Sequence, residues 1–239
     1  IAAAAAERRA IRKTTVPRRE AYITARRATF RERDAERLAL AESYTGSLRI
    51  PHAKGFLRVP PGALADVIGP MVTAGNALIE QIGHKALVKG GGKGDFIARE
   101  FLPPSAFEAD SPYMRLALDP RVIGVVADYL GVVPVLAEMD LWYSMYHPKA
   151  PTSSQLWHMD PEDTTQIKLW VHLSDIGPDS GPLTGLDATE SRALADAAAY
   201  DYAEGYRLPD VEVTSRYAAD RLVAFAKGAK AEGFKVVIA

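Results

Sequence analysis

The stretch Ser154-Gln155-Leu156-Trp157-His158-Met159-Asp160 decides how the rest of this chain is read. Its mixture of aromatic, apolar and polar residues suits an extended strand, on which residues two apart point the same way. The His158 imidazole and the Asp160 carboxylate then leave one face of the sheet together, with Trp157 and Met159 on the other. Two ligands are thereby aimed at one point. Imidazole plus carboxylate is a nitrogen-and-oxygen set that suits Fe(II), and a second His supplied from elsewhere would complete a facial triad with positions left open. Alone, a His-x-Asp pair is a weak pattern, because a half-exposed His beside an Asp is usually only a hydrogen-bonded pair.

Outward from this stretch, β-branched and aromatic runs over 132–137, 140–146, 154–160 and 166–173 are separated by Pro, Asp, Ser and Gly, the rhythm of an antiparallel sandwich or barrel. Ahead of them, residues 120–130 predict a helix with Val122, Ile123, Val126 and Leu130 on one side, ended by Gly131. A longer helix is expected over 63–85, where Leu64, Val67, Ile68, Met71, Val72, Ala74, Leu78 and Ile82 recur close to helical spacing and Gly69-Pro70 interrupts the early part. Residues 50–60 alternate around Gly55 and suit a short strand stopped at Pro60-Pro61. The run from Lys89 to Gly94 lacks the strand and the terminal Ser or Thr of a phosphate-binding loop and reads as a mobile loop. Helices first and sheet second is an α+β order.

Composition narrows the chemistry. A chain of 239 residues that is 48% apolar can bury a real core. With no cysteine it can have neither a disulfide framework nor a thiolate metal site, so a bound metal must take nitrogen and oxygen ligands. The longest apolar runs fall far short of the roughly 20 residues of a membrane span, and no charged-then-apolar leader opens the chain. The expectation is a soluble, unsecreted, cytoplasmic protein with no membrane partner. A net charge of −1 argues against nucleic acid as its main partner. Residues 1–45 form a basic helical arm, in which Arg8, Arg9, Arg12, Lys13, Arg18, Arg19, Arg26, Arg27, Arg31, Arg33 and Arg37 far outnumber the acidic residues. It is read as scaffold, packed on the domain by Ile11, Ile23, Phe30, Leu38 and Leu40, with a polyanion or partner contact as the alternative.

Between Tyr143 and Thr184 the chain carries, in order, Tyr146-His147-Pro148, the His158-x-Asp160 strand, Ile167-Lys168-Leu169-Trp170-Val171-His172-Leu173-Ser174-Asp175-Ile176 and Ser180-Gly181-Pro182-Leu183-Thr184. This succession resembles the phytanoyl-CoA dioxygenase-like family, in which a His-x-Asp strand precedes one of the form Lys-x-Trp-x-x-Leu-x-Asp and a Gly-Pro turn follows. The resemblance extends over about residues 50–215. It implies a double-stranded β-helix, or jelly roll, binding Fe(II) through His158, Asp160 and a distal His, with 2-oxoglutarate as cosubstrate. The implied reaction uses dioxygen, decarboxylates 2-oxoglutarate to succinate and hydroxylates a small organic or acyl substrate. Gln155, just ahead of the motif, and Lys168 and Trp170, on one face of the next strand, are the matching cofactor-binding candidates. The plainer reading makes Trp170 core packing and Lys168 a solvated strand residue.

The family's distal His lies on a late strand and is followed by an Arg that pairs with the far carboxylate of 2-oxoglutarate. Here the histidines are His52, His84, His147, His158 and His172, and the late arginines are Arg207, Arg216 and Arg221. His147 and His172 lie too near the motif in sequence to reproduce the usual arrangement, so the site is expected to be incomplete. A non-catalytic jelly-roll binding module is therefore the rival reading. Residues 216–239 look like a separate tail, with a helix ending at Gly233 and then a buried-type strand, the pattern of a βαβ half-unit. That tail is similar to a segment of the carboxyaminoimidazole ribonucleotide mutase family, although the Ser-Ala-His-Arg motif expected upstream reads Thr214-Ser215-Arg216-Tyr217-Ala218. Phosphate-ester binding near Arg216 and Arg221 would follow from that resemblance and ranks last. The chain thus reads as three parts, 1–45, 46–215 and 216–239, and as composite or interrupted, a fragment whose last strand has nothing after it to pair with.

Overall fold

The computed structural model describes residues 21, 24, 25, 28, 33–44, 46–60, 62–83, 97–144, 152, 155–158, 166–176, 183–197 and 236–238. Its elements, in chain order, are α1 (Asp34–Ser43), β1 (Leu57–Arg58), α2 (Ala65–Ile82), β2 (Ile97–Phe101), a 3-10 turn (Pro104–Phe107), α3 (Pro112–Ala117), α4 (Pro120–Leu130), β3 (Asp140–Ser144), β4 (Leu169–Val171), α5 (Ala188–Ala197) and β5 (Val236–Ile238).

Local chemistry explains where the central helices begin. Both α3 and α4 start with a short polar residue followed by proline, which has the right φ for a first helical position and no N–H to leave unpaired. The Ser111 hydroxyl accepts from the Met114 N–H at 3.1 Å, and the Asp119 carboxylate accepts from the Arg121 N–H at 2.8 Å. These caps satisfy donors that a helix end otherwise leaves orphaned. Gly131 ends α4 in the left-handed region at φ 71°, its N–H donating to the Ala127 carbonyl, as the sequence predicts.

Packing follows the apolar stripes of these helices. One buried cluster gathers Ile50, Val59, Leu64, Met71, Leu116, Val122, Val125 and Val126, and a smaller one gathers Leu102, Ala106 and Leu141. Each of the valine, leucine, isoleucine and methionine side chains among them contributes roughly 1.5–3 kcal/mol on leaving water. Arg121 ties α4 to the start of α2: it bonds Asp119 at 2.7 Å, Asp66 at 2.8 Å and the Ala63 carbonyl at 3.3 Å.

The helix expected over 63–85 runs unbroken from Ala65 to Ile82 with Pro70 inside it. Pro70 forfeits one backbone donor near the first turns, and burial of Met71 and Gly75 just beyond outweighs that loss. Other expectations need correcting. Residues 132–137 form no strand: Pro134 lacks a ladder donor, and the Val133 backbone instead bonds α1, its N–H donating to the Arg37 carbonyl while the Arg37 side-chain Nε donates to the Val133 carbonyl at 2.9 Å. In the basic arm, Leu38 and Leu40 are 48% and 41% exposed, so they do not pack α1 down; the Arg37 contacts do. Ile11, Ile23, Phe30, the Lys89–Gly94 run and the tail helix lie outside the described residues.

The strands form two antiparallel sheets. β2 pairs with β3, Ile97 opposite Ser144 and Phe101 opposite Asp140. The other sheet has the order β1-β5-β4. The tail strand, read from the sequence as half of a parallel βαβ unit with nothing to pair with, instead lies between two partners and antiparallel to both. A βαβ reading fixes strand direction from a helix-then-strand pattern, whereas direction is set by the partners that fold back to meet it.

Candidate metal centre

His158 sits half-buried beyond Trp157, which makes a single β-bridge. The strand expected over 154–160 is not continuous here: Gln155 belongs to a tight turn and Leu156 to a bend. That turn closes on itself, the Gln155 N–H donating to the Thr152 carbonyl at 3.0 Å and the Gln155 side-chain oxygen accepting from the Thr152 N–H at 3.1 Å. Gln155 is thus exposed and engaged in its own turn, a local alternative that polar side chains offer to the sheet ladder.

The bend brings the Leu156 carbonyl to 2.7 Å from His158 Nδ1. A carbonyl oxygen only accepts, so Nδ1 is the donor in this bond. Metal-binding histidines show this arrangement, the distal ring N–H donated to a carbonyl or carboxylate so that tautomer and ring direction are fixed. Asp160 lies outside the described residues. Among the described residues no group of three His, Asp or Glu stands close enough to hold a metal ion.

β4 carries the second set of candidates. Trp170 meets the indole of Trp142 edge to face, ring centroids 5.6 Å apart and planes at 86°. Trp142 belongs to β3, so this pair joins the two sheets, and its indole N–H donates to Asp140 at 3.4 Å. Trp170 thus packs edge to face against Trp142. Lys168 is half-buried just ahead of β4. His172, just past it, is half-buried as well, and burial lowers its pKa below the usual histidine value, favouring the neutral ring.

Helix α2 holds the end of β4 in place. Asn76 Nδ2 donates to the Leu173 carbonyl at 3.1 Å, and Gly75 admits the Leu173 side chain so closely that a Cβ there would stand 2.9 Å from both of its methyls. Trp142, Gly75 and Asn76 escaped the sequence reading. Alternation on an expected strand over 140–146 placed Trp142 beside Trp170 only if the two sheets met, and a helical Gly-Asn pair gives no sign of the strand it will touch.

The Asp187 side chain caps α5 by accepting from the Glu190 N–H at 2.7 Å, and the Ala188 N–H docks the helix start by donating to the Lys54 carbonyl at 2.9 Å. Among the described residues no helix is long and apolar enough to cross a membrane. No family model, no curated protein and no solved structure matches this chain.

Proposed function

We propose that this chain carries the iron-binding half of an Fe(II)/2-oxoglutarate-dependent dioxygenase of the phytanoyl-CoA dioxygenase-like type, built on a jelly roll and acting on a small organic or acyl substrate. The observation that carries the reading is the 2.7 Å bond between His158 Nδ1 and the Leu156 carbonyl, which orients the ring as metal-binding histidines are oriented. His158 and Asp160 would hold the metal, an imidazole and carboxylate set that suits Fe(II). Bound there with 2-oxoglutarate, iron would supply the oxidising power for a hydroxylation by dioxygen.

The chain's own residues would position and shield. Lys168, a half-buried cation, matches a carboxylate of the cosubstrate in charge, and Trp170, backed by Trp142, gives a rigid apolar wall. Two antiparallel sheets joined through that aromatic pair are compatible with a jelly roll. The sequence holds no His after His172, and that observation favours a second reading: a jelly-roll module that binds a small molecule without turning it over.

One experiment separates the two. Under anaerobic conditions, Fe(II) plus 2-oxoglutarate should give the visible charge-transfer band of the chelate, and His158→Ala should abolish it. A band together with succinate formation in air supports the dioxygenase; no band and no succinate favours the binding module and overturns iron binding at His158.

A further inference from the structure

β5 is the strand on which the larger sheet depends. Ile238 stands opposite Leu57 on one side and Leu169 on the other, Val237 opposite Arg58 and Trp170, and Val236 opposite Val171. Among the described residues, β1 and β4 are joined only through it. Remove those three residues and two strand edges face each other across a gap one strand wide, each with unpaired N–H and C=O groups. Such a gap recognises its occupant through main-chain bonds on both sides, so any extended segment fits, and β-branched side chains fit best.

The occupant is held by little. Three residues make a strand shorter than most, and both partners lie far back in the chain, so the pairing works against loop-closure entropy. A contact of that kind opens and closes more readily than the helical core.

We propose that the gap between β1 and β4 is a strand-binding site for an extended, β-branched peptide, filled in this structure by the chain's own Val236–Ile238. The site recruits its ligand by strand addition, and the tail acts as a resident, exchangeable occupant. Because Trp170 is one of the residues paired with the tail, filling the gap also fixes the strand that leads to His172. The inference stands on the strand pairing alone and is independent of iron.

The test uses the full chain with Val237→Pro, which removes a ladder donor at the centre of β5. The probe is a fluorescein-labelled hexapeptide of residues 234–239, followed by anisotropy. The variant should bind it at least about tenfold more tightly than the unaltered chain, whose own tail competes at a high effective concentration. The same peptide with proline at its first-to-second valine junction, replacing Val237, should not bind. Equal binding to both chains, or binding to neither, overturns the proposal. Should the variant fail to fold, hydrogen exchange on the unaltered chain decides: excess hexapeptide should displace β5 and speed exchange of the amides of 236–238, and unchanged exchange there overturns the proposal.

Discussion

The helical half of the molecule and the half that carries the site are held together differently. Every member of the larger buried cluster lies between Ile50 and Val126, whereas Gln155, His158, Lys168 and Trp170 are all at least partly exposed. The first half is stabilised by apolar burial backed by caps and by the Arg121 clamp. The second rests on that core through Ile167, Leu169, Val171 and Leu173, and its candidate site residues are placed by polar and aromatic contacts such as the bond to His158 and the Trp142–Trp170 pair. Stability and chemistry have been given to different residues, so that site positions remain accessible while a packed platform carries them.

The sharpest way to break this contrast is Leu64→Ala. Leu64 has 0% exposure at the centre of the core, and truncating it should cost about 2–5 kcal/mol in urea unfolding. A cost below about 1 kcal/mol would mean that the helical half is not the platform. Next comes Asp119→Ala, which removes the α4 cap and an Arg121 partner and should cost about 1–2 kcal/mol; Asp119→Asn, which keeps a cap oxygen, should recover part of that loss. The hydrogen bonds from Arg121 hold the carboxyls of both Asp119 and Asp66 below their ordinary value of 3.8. Their stabilisation is therefore present at neutral pH and lost as the solution is acidified through and below that value, and the Asp119→Ala variant should lose less on acidification.

His172 probes the other half. Because burial depresses its pKa, the unfolded chain takes up the proton first as pH falls below 6.5, and stability should decline from that point. His172→Gln should flatten this part of the pH profile, and an unchanged profile would show that the ring is better solvated than its setting implies. The smallest effect is expected at the junction of the halves. In Gly75→Ala, up to about 1 kcal/mol of helix propensity is offset by displacement of the Leu173 methyls, leaving a net change within about 0.5 kcal/mol. The amides of 169–171 should nonetheless exchange faster, since the grip on Leu173 is disturbed; a large loss of stability instead would show that the junction belongs to the core.

What could be read from the sequence follows the same division. Helix α4 was legible because its signals are local: Pro120 starts it, apolar spacing runs through it and Gly131 stops it. Strand β3 was legible from its aromatic run. Residues 132–137 misled, because a β-branched run says strand while Pro134 and the bonds with Arg37 prevent one. β2 gave no warning, since its residues include Arg99 and Glu100 and its pairing with β3 is long-range. In the candidate site, the His158 and Trp170 residue types were legible, but the bond to Leu156 and the edge-to-face contact with Trp142 depend on a bend and on a meeting of sheets that no local pattern encodes.

Leu173 and Tyr113 each pack against both buried clusters. A side chain shared in this way denies either cluster a private melting transition, because loosening one withdraws a wall from the other. The two clusters are therefore coupled into a single cooperative unit, and the strand end beyond His172 registers the integrity of both.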